Sequence, residues 1–194
     1  MRPQLFRLFI LFVICLSGSV TVTCTHADAV FVGGAPAQKQ YLQALYNTLP
    51  VRCRSGIFLR IQLMPGSELA DLVRSGLSSQ EAQSISANSV DGVYQNEIPT
   101  ITLRQESNRV QLCRTFAHEI GHLVWQRLLT SQQRCQYCCL YKTQKSAHCL
   151  ITTYSGSGVE EGFAEAYSYW VTDPATLQTK DPLSSKFIGQ IPSN

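Results

Sequence analysis

The chain has 194 residues, 44% hydrophobic and only 15% charged, which excludes a disordered or polyelectrolyte chain and suits one domain with a real core. Its formal charge of +3 includes Arg2 and Arg7 at the extreme N-terminus, so no basic face for nucleic acid is expected. Eight cysteines in so neutral a chain turn attention to the redox compartment.

The N-terminus speaks to that question. A short positive region, Met1 to Arg7, precedes the unbroken apolar run Leu8 to Leu16, and small and polar residues follow from Ser17 to Thr25. Ala27-Asp28-Ala29 offers a signal-peptidase site, with Thr25-His26-Ala27 competing. An apolar run of nine residues makes a helix of only about 14 Å, half a bilayer core, so a cleaved signal peptide is favoured over an anchor. Residues 1–29 are therefore expected to be a leader, and 30–194 one monomeric domain, secreted or periplasmic, with no stable membrane span. Cleavage removes Cys15 and Cys24. Six cysteines remain, Cys53, Cys113, Cys135, Cys138, Cys139 and Cys149, an even number that in an oxidising compartment reads as disulfides.

Tyr41, Leu42, Leu45, Tyr46 and Leu49 share one helical face, and Pro50 ends that helix. Gly56 to Met64 reads as a buried strand ending at Pro65-Gly66. Ser67 is expected to cap a short helix through Arg74, closed by Gly76, and a polar helix is expected over Ser79 to Ile85. Gly92-Val93-Tyr94 and Thr100 to Leu103 read as two short strands joined by a turn containing Asn96. From Asn108 to about Leu128, Cys113, Phe116, Ala117, Ile120, Val124 and Leu128 recur at helical spacing. Residues 130–154 read as a cysteine-rich loop insertion. Val159 to Val171 is helical again, until Asp173-Pro174, and the tail is polar apart from Phe187, Ile188 and Ile191.

The long helix carries His118-Glu119-Ile120-Gly121-His122. Histidines at i and i+4 lie on one face, where both imidazoles can reach a single Zn²⁺, and Glu119, one step round, can take a proton from water. Zinc needs a third protein ligand. The extended HExxHxxGxxH pattern is excluded, because Trp125 and Leu128 stand where its Gly and His would be. His148 is the only later histidine and lies in the cysteine-rich stretch. Better candidates stand in Glu160-Glu161-Gly162-Phe163-Ala164-Glu165, where Glu161 and Glu165 share a face and Glu160 points about 100° away. That helix is too apolar for the surface, so its carboxylates need a partner, and a cation is the obvious one. This favours a ligand role for Glu161.

HEIGH, then Tyr154, then Glu161 within EEGFAEAYSYW, resembles the catalytic domain of anthrax lethal factor and the related Pro-Pro endopeptidases, which are gluzincin metallopeptidases. The resemblance is specific over about 92–170 and weak before it. It implies a zincin-like α+β fold, a small mixed sheet with an edge strand packed on the HExxH helix and a later Glu-ligand helix. It implies one catalytic Zn²⁺ held by His118, His122 and Glu161, with Glu119 as general base. Tyr154 would donate to the tetrahedral oxyanion, and Glu165 would orient a ligand from behind. Gly92 to Leu103 looks like the family's edge strand, against which a peptide or protein substrate lies extended.

The cysteine cluster departs from that family. Cys135 and Cys138 with His148 or Cys149 could hold a structural zinc, but the leader and the spacing favour two disulfides folding the loop. Adjacent Cys138 and Cys139 would strain a bond between them, and Cys53 with Cys113 is left as the third pair. The expected function is a secreted zinc metalloendopeptidase. The alternative is a secreted binding or effector module on a gluzincin scaffold, with the cysteine-rich loop as its recognition surface.

Overall fold

The structure, a computed structural model, describes residues 29–78, 82–83, 85–86 and 89–191. The leader expected before Ala29, including Cys15 and Cys24, lies outside the described residues, as does most of the polar helix expected over Ser79 to Ile85. The architecture is mixed α+β: four short strands and a larger mass of helix. Strands β1 (Ala29–Val32), β2 (Leu59–Met64), β3 (Gly92–Gln95) and β4 (Thr100–Arg104) form one sheet in the order β1-β2-β4-β3. The first two pairings are parallel, with Ala29 opposite Leu59 and Arg60 opposite Thr100. β3 lies antiparallel to β4 at the sheet edge, with Gly92 opposite Leu103.

The alternation of β2 sends Leu59, Ile61 and Leu63 into the core, joined by Ile101 and Leu103 of β4. Helix α1 (Pro36–Thr48) follows β1 and buries Leu42 and Tyr46, then the single turn α2 (Val51–Arg54) returns the chain to β2. Helix α3 (Gly66–Ser75) starts at Pro65, and the Ser67 side chain does not cap it; proline supplies the fixed φ instead. Gly76 does end it.

Helix α4 (Arg109–Leu123) is capped by Asn108, whose Oδ1 accepts from the Gln111 N–H at 3.0 Å. It runs directly into a π-helical turn, Val124–Leu128. The stretch expected to be a loop is instead helix α5 (Ser131–Ser146), closed at its start by a Thr130–Gln133 capping box. A 3₁₀ turn (Tyr154–Ser157) leads to α6 (Val159–Thr172). The tail adds α7 (Pro174–Lys180) and α8 (Pro182–Gly189), whose Asp173 and Asp181 caps accept from the N–H groups of Thr176 and Ser184. Among the described residues, no helix is long and apolar enough to cross a membrane.

All six described cysteines are free thiols. Cys53 Sγ lies 3.5 Å from Tyr167 Oη on α6, so it is engaged there and not with Cys113. Cys135, Cys138 and Cys139 share α5, where residues three or four apart hold their Cβ atoms about 5–6 Å apart, too far for the roughly 3.8 Å of a disulfide. Cys149 follows that helix and donates to the Ala147 carbonyl.

Candidate metal centre and cleft

Two glycines let the site assemble. A Cβ on Gly121, inside the HEIGH motif, would stand 2.7 Å from Ala164 Cα, so the absence of a side chain lets α4 and α6 touch backbone to backbone. A Cβ on Gly92 would stand 2.6 Å from Thr115 Cγ2 and 3.0 Å from Glu119 Oε1, so β3 can lie directly against the motif. The sheet edge and the two helices thereby enclose one cleft.

Within it, His118 Nε2 and His122 Nε2 are 3.1 Å apart, and Glu161 Oε2 is 3.2 Å from the first and 3.5 Å from the second. These three residues are the group able to hold a metal ion among the described residues. Ligands about 2.0–2.1 Å from a tetrahedral centre stand about 3.3–3.4 Å apart, so the three observed separations match the edges of a zinc tetrahedron. The donor set, two imidazoles and one carboxylate, also suits zinc. His148 stands away from this group, in the turn after α5 with φ of 55°.

The outer nitrogens are fixed as well. His118 Nδ1 meets Glu165 Oε1 at 3.0 Å, and Glu165 Oε2 accepts from Thr152 Oγ1 at 2.8 Å. His122 Nδ1 meets Glu160 Oε1 at 3.1 Å, and Gln126 Nε2 donates to the same oxygen at 2.7 Å. Each imidazole therefore has a carboxylate behind it, which sets the tautomer and turns Nε2 inward. Glu165 stands behind His118, on the side of the ring away from Glu161. Glu160, expected to point away, instead serves His122, and Gln126 and Thr152 were not foreseen. Gln126 had a signal, standing four residues after His122 in the same helical period; Glu160 had none beyond adjacency to Glu161.

Electrostatics follow from this crowding. Burial alone would lower the proton affinity of both histidines, but the hydrogen bonds of Glu161 and Glu165 to His118, and of Glu160 and Glu161 to His122, raise it. Burial alone would raise the Glu161 carboxyl, but the two imidazoles hold it well below its ordinary value. Glu119 is only 5% exposed, and burial lifts it to about 7 against the pull of both imidazoles. A carboxyl poised there can take and return a proton at neutral pH.

Tyr154 opens the short 3₁₀ turn, with its ring centroid 5.9 Å from that of His118. It is 55% exposed, and partial burial beside the negative charge of Glu161 pushes its hydroxyl up to about 12, so it remains a proton-bearing donor. Its turn is held from two sides. Ser155 and Thr152 bond to each other and, through Thr152, to Glu165. From α5, Tyr141 Oη donates to the Ser155 carbonyl at 3.1 Å and Lys145 Nζ to the Gly156 carbonyl at 2.7 Å. Arg127 of the π-helical turn donates to Tyr94 Oη of β3 and to Asn96 Oδ1 in the turn that follows it.

The cleft, about 570 Å³, is bounded by Val90, Asp91 and Gly92 on one side and by Thr115, His118 and Glu119 on the other, with Tyr154 at its mouth. No protein-family model matches this chain, and no curated protein is similar to it at a significant level.

Proposed function

We propose that the chain is a zinc-dependent metalloendopeptidase of the zincin-like, gluzincin type resembling the anthrax lethal factor catalytic domain and the Pro-Pro endopeptidases. The observation that carries this reading is the triangle of His118 Nε2, His122 Nε2 and Glu161 Oε2 with edges of 3.1, 3.2 and 3.5 Å beside a buried Glu119. A zinc ion held by those three atoms would polarise a substrate carbonyl and acidify a water molecule. Glu119 takes the proton from the attacking water and later returns it to the leaving amine, a role that its place beside the three ligand atoms suits. The Tyr154 hydroxyl donates to the oxyanion that forms, and Glu160 and Glu165 keep both Nε2 atoms turned inward. The place of β3 at the sheet edge beside Glu119, whose carboxyl accepts from the Tyr94 N–H, supports a substrate bound in extended form along that strand.

The decisive experiment is a mixed peptide library incubated with the zinc-loaded protein and with Glu119→Gln. The wild type is expected to cleave peptide bonds, and the variant to keep one zinc while losing at least about 10²-fold in turnover. Full turnover in the variant, with zinc intact, would remove Glu119 from the mechanism.

Export is part of the same proposal, on the layout of residues 1–29. β1 pairs Ala29 with Leu59, so a cut after Ala27 spares the strand whereas a cut after Ala29 shortens it. N-terminal sequencing of the protein recovered from the medium or periplasm is expected to begin at Asp28. A cytoplasmic, uncut product would refute export. The rival reading, a binding module on the same scaffold, would have to use the outer face of α5, since that segment is a helix whose inner face holds the turn bearing Tyr154, and the same library separates the two.

A further inference from the structure

Arg114 stands one helical turn before His118 and lines the same cleft, yet the mechanism above does not use it. Its backbone carbonyl accepts from Ser168 Oγ at 2.8 Å, which fixes this turn of α4 to α6. Its guanidinium lies over the Tyr169 ring, 4.5 Å from the centroid, and this stacking fixes the plane of the group. Among the described residues the guanidinium makes no hydrogen bond to an acceptor and its Nε is buried, although its charge is felt by Glu165 and Asp173. The neighbouring carboxylates bond elsewhere: Asp91, across the cleft, to Arg104 at 3.4 Å, and Glu165 to His118 and Thr152, with Arg114 acting on it only through its charge. With its Nε side buried, the stacked guanidinium can meet a ligand acceptor in the cleft only through its outer Nη groups, which have no hydrogen-bond acceptor of their own among the described residues.

We propose that Arg114 is a specificity-determining residue that binds a carboxylate of the substrate. A stacked guanidinium offers parallel N–H donors along one edge, which match the two oxygens of a carboxylate. Four residues of helix place Arg114 about 6 Å along α4 from His118, and an extended peptide advances about 3.3 Å per residue. The carboxylate therefore belongs to a residue about two positions from the bond above the histidines. It is supplied either by an Asp or Glu side chain or by the free C-terminus of a short peptide. This inference rests on the reading of the cleft as a peptide site, and the experiment separates the two.

The test is calorimetric titration of zinc-loaded Glu119→Gln protein with two matched pairs: acetyl-tetra-alanine as free acid and as amide, and acetyl-Ala-Asp-Ala-Ala amide beside its Asn counterpart. At least one acidic member is expected to bind about tenfold or more tighter than its neutral twin, and which pair shows the gap identifies the carboxylate source. The gap is expected to vanish when Arg114→Gln is added and to return in part with Arg114→Lys, which keeps the charge without the fork. Equal binding within both pairs, no binding by any member, or a gap that persists in Arg114→Gln overturns the inference. A gap that closes in Arg114→Gln in a protein that cleaves nothing in the library leaves this site standing and removes the peptidase reading.

Discussion

Two carboxylates five residues apart on α6 divide the histidines between them. Glu165 takes His118 and Glu160 takes His122, while Glu161 faces the gap between the two Nε2 atoms. Removing such a partner typically weakens metal binding by 10–100-fold, because the imidazole loses its fixed tautomer and direction. Glu160→Ala is accordingly expected to lower zinc affinity by about that factor with little change in fold. Competition against a chromophoric chelator measures it, and an unchanged affinity would leave the 3.1 Å contact without a function. The motif residues could be read directly, since His118, Glu119 and His122 are related by helical period alone. Glu161 and Glu165 were likewise visible as an i, i+4 pair in an apolar helix. Glu160 was not, because whether a neighbouring side chain swings inward depends on where two helices cross, and that is set by the contact of Gly121 with Ala164.

At the scale of elements, α5 matters most for being a helix at all. Its inner face presents Tyr137, Tyr141 and Gln144, and Tyr141 reaches past Gly162 to grip the Ser155 carbonyl. Tyr141→Phe is expected to cost about 1 kcal/mol in stability, the usual net value of one hydrogen bond. It should also lower turnover by loosening the turn that presents Tyr154, while zinc affinity stays unchanged. Denaturant unfolding, kcat and metal titration together check this, and a parallel loss of zinc would place Tyr141 elsewhere in the mechanism. The helix was legible in Thr130-x-x-Gln133 and in the spacing of Tyr137, Tyr141 and Gln144. Three cysteines and few aliphatic residues hid it, since aromatic and amide groups supply its buried face. The tail shows a related effect: Asp173-Pro174 ends α6, and it also starts α7 by an Asp cap and a proline in the first turn. Asp181-Pro182 repeats the device for α8, which brings Phe187 and Ile188 against the core. β1 escaped notice because its residues adjoin the leader.

For the molecule as a whole, the sheet and the α4–α6 pair share one core, and the aromatic cluster of Trp125, Tyr137, Phe163 and Phe187 joins α5 and the tail to it. Asp181 sits at that junction, buried, accepting from Ser184 N–H and from Gln144 Nε2. Burial raises its carboxyl above the ordinary 3.8, although these bonds work against the rise. A group raised on folding contributes stability that is complete below its unfolded value and is lost as pH rises through its folded value. Wild-type protein, kept metal-free by chelator, is therefore expected to gain stability relative to Asp181→Asn as pH falls from 7 towards 3.8. Urea unfolding of both proteins across that range checks the sign, and a gap that moves the other way contradicts it. The spacing of the candidate metal ligands has a consequence in time. His118 and Glu161 are 43 residues apart, with all of α5 between them. A chain made from its N-terminus exposes His118, Glu119 and His122 well before Glu161 exists, and the turn bearing Tyr154 has no support until α5 has packed. Hydrolytic competence would thus be among the last properties the nascent chain acquires, after the segments it could otherwise cut have already folded away.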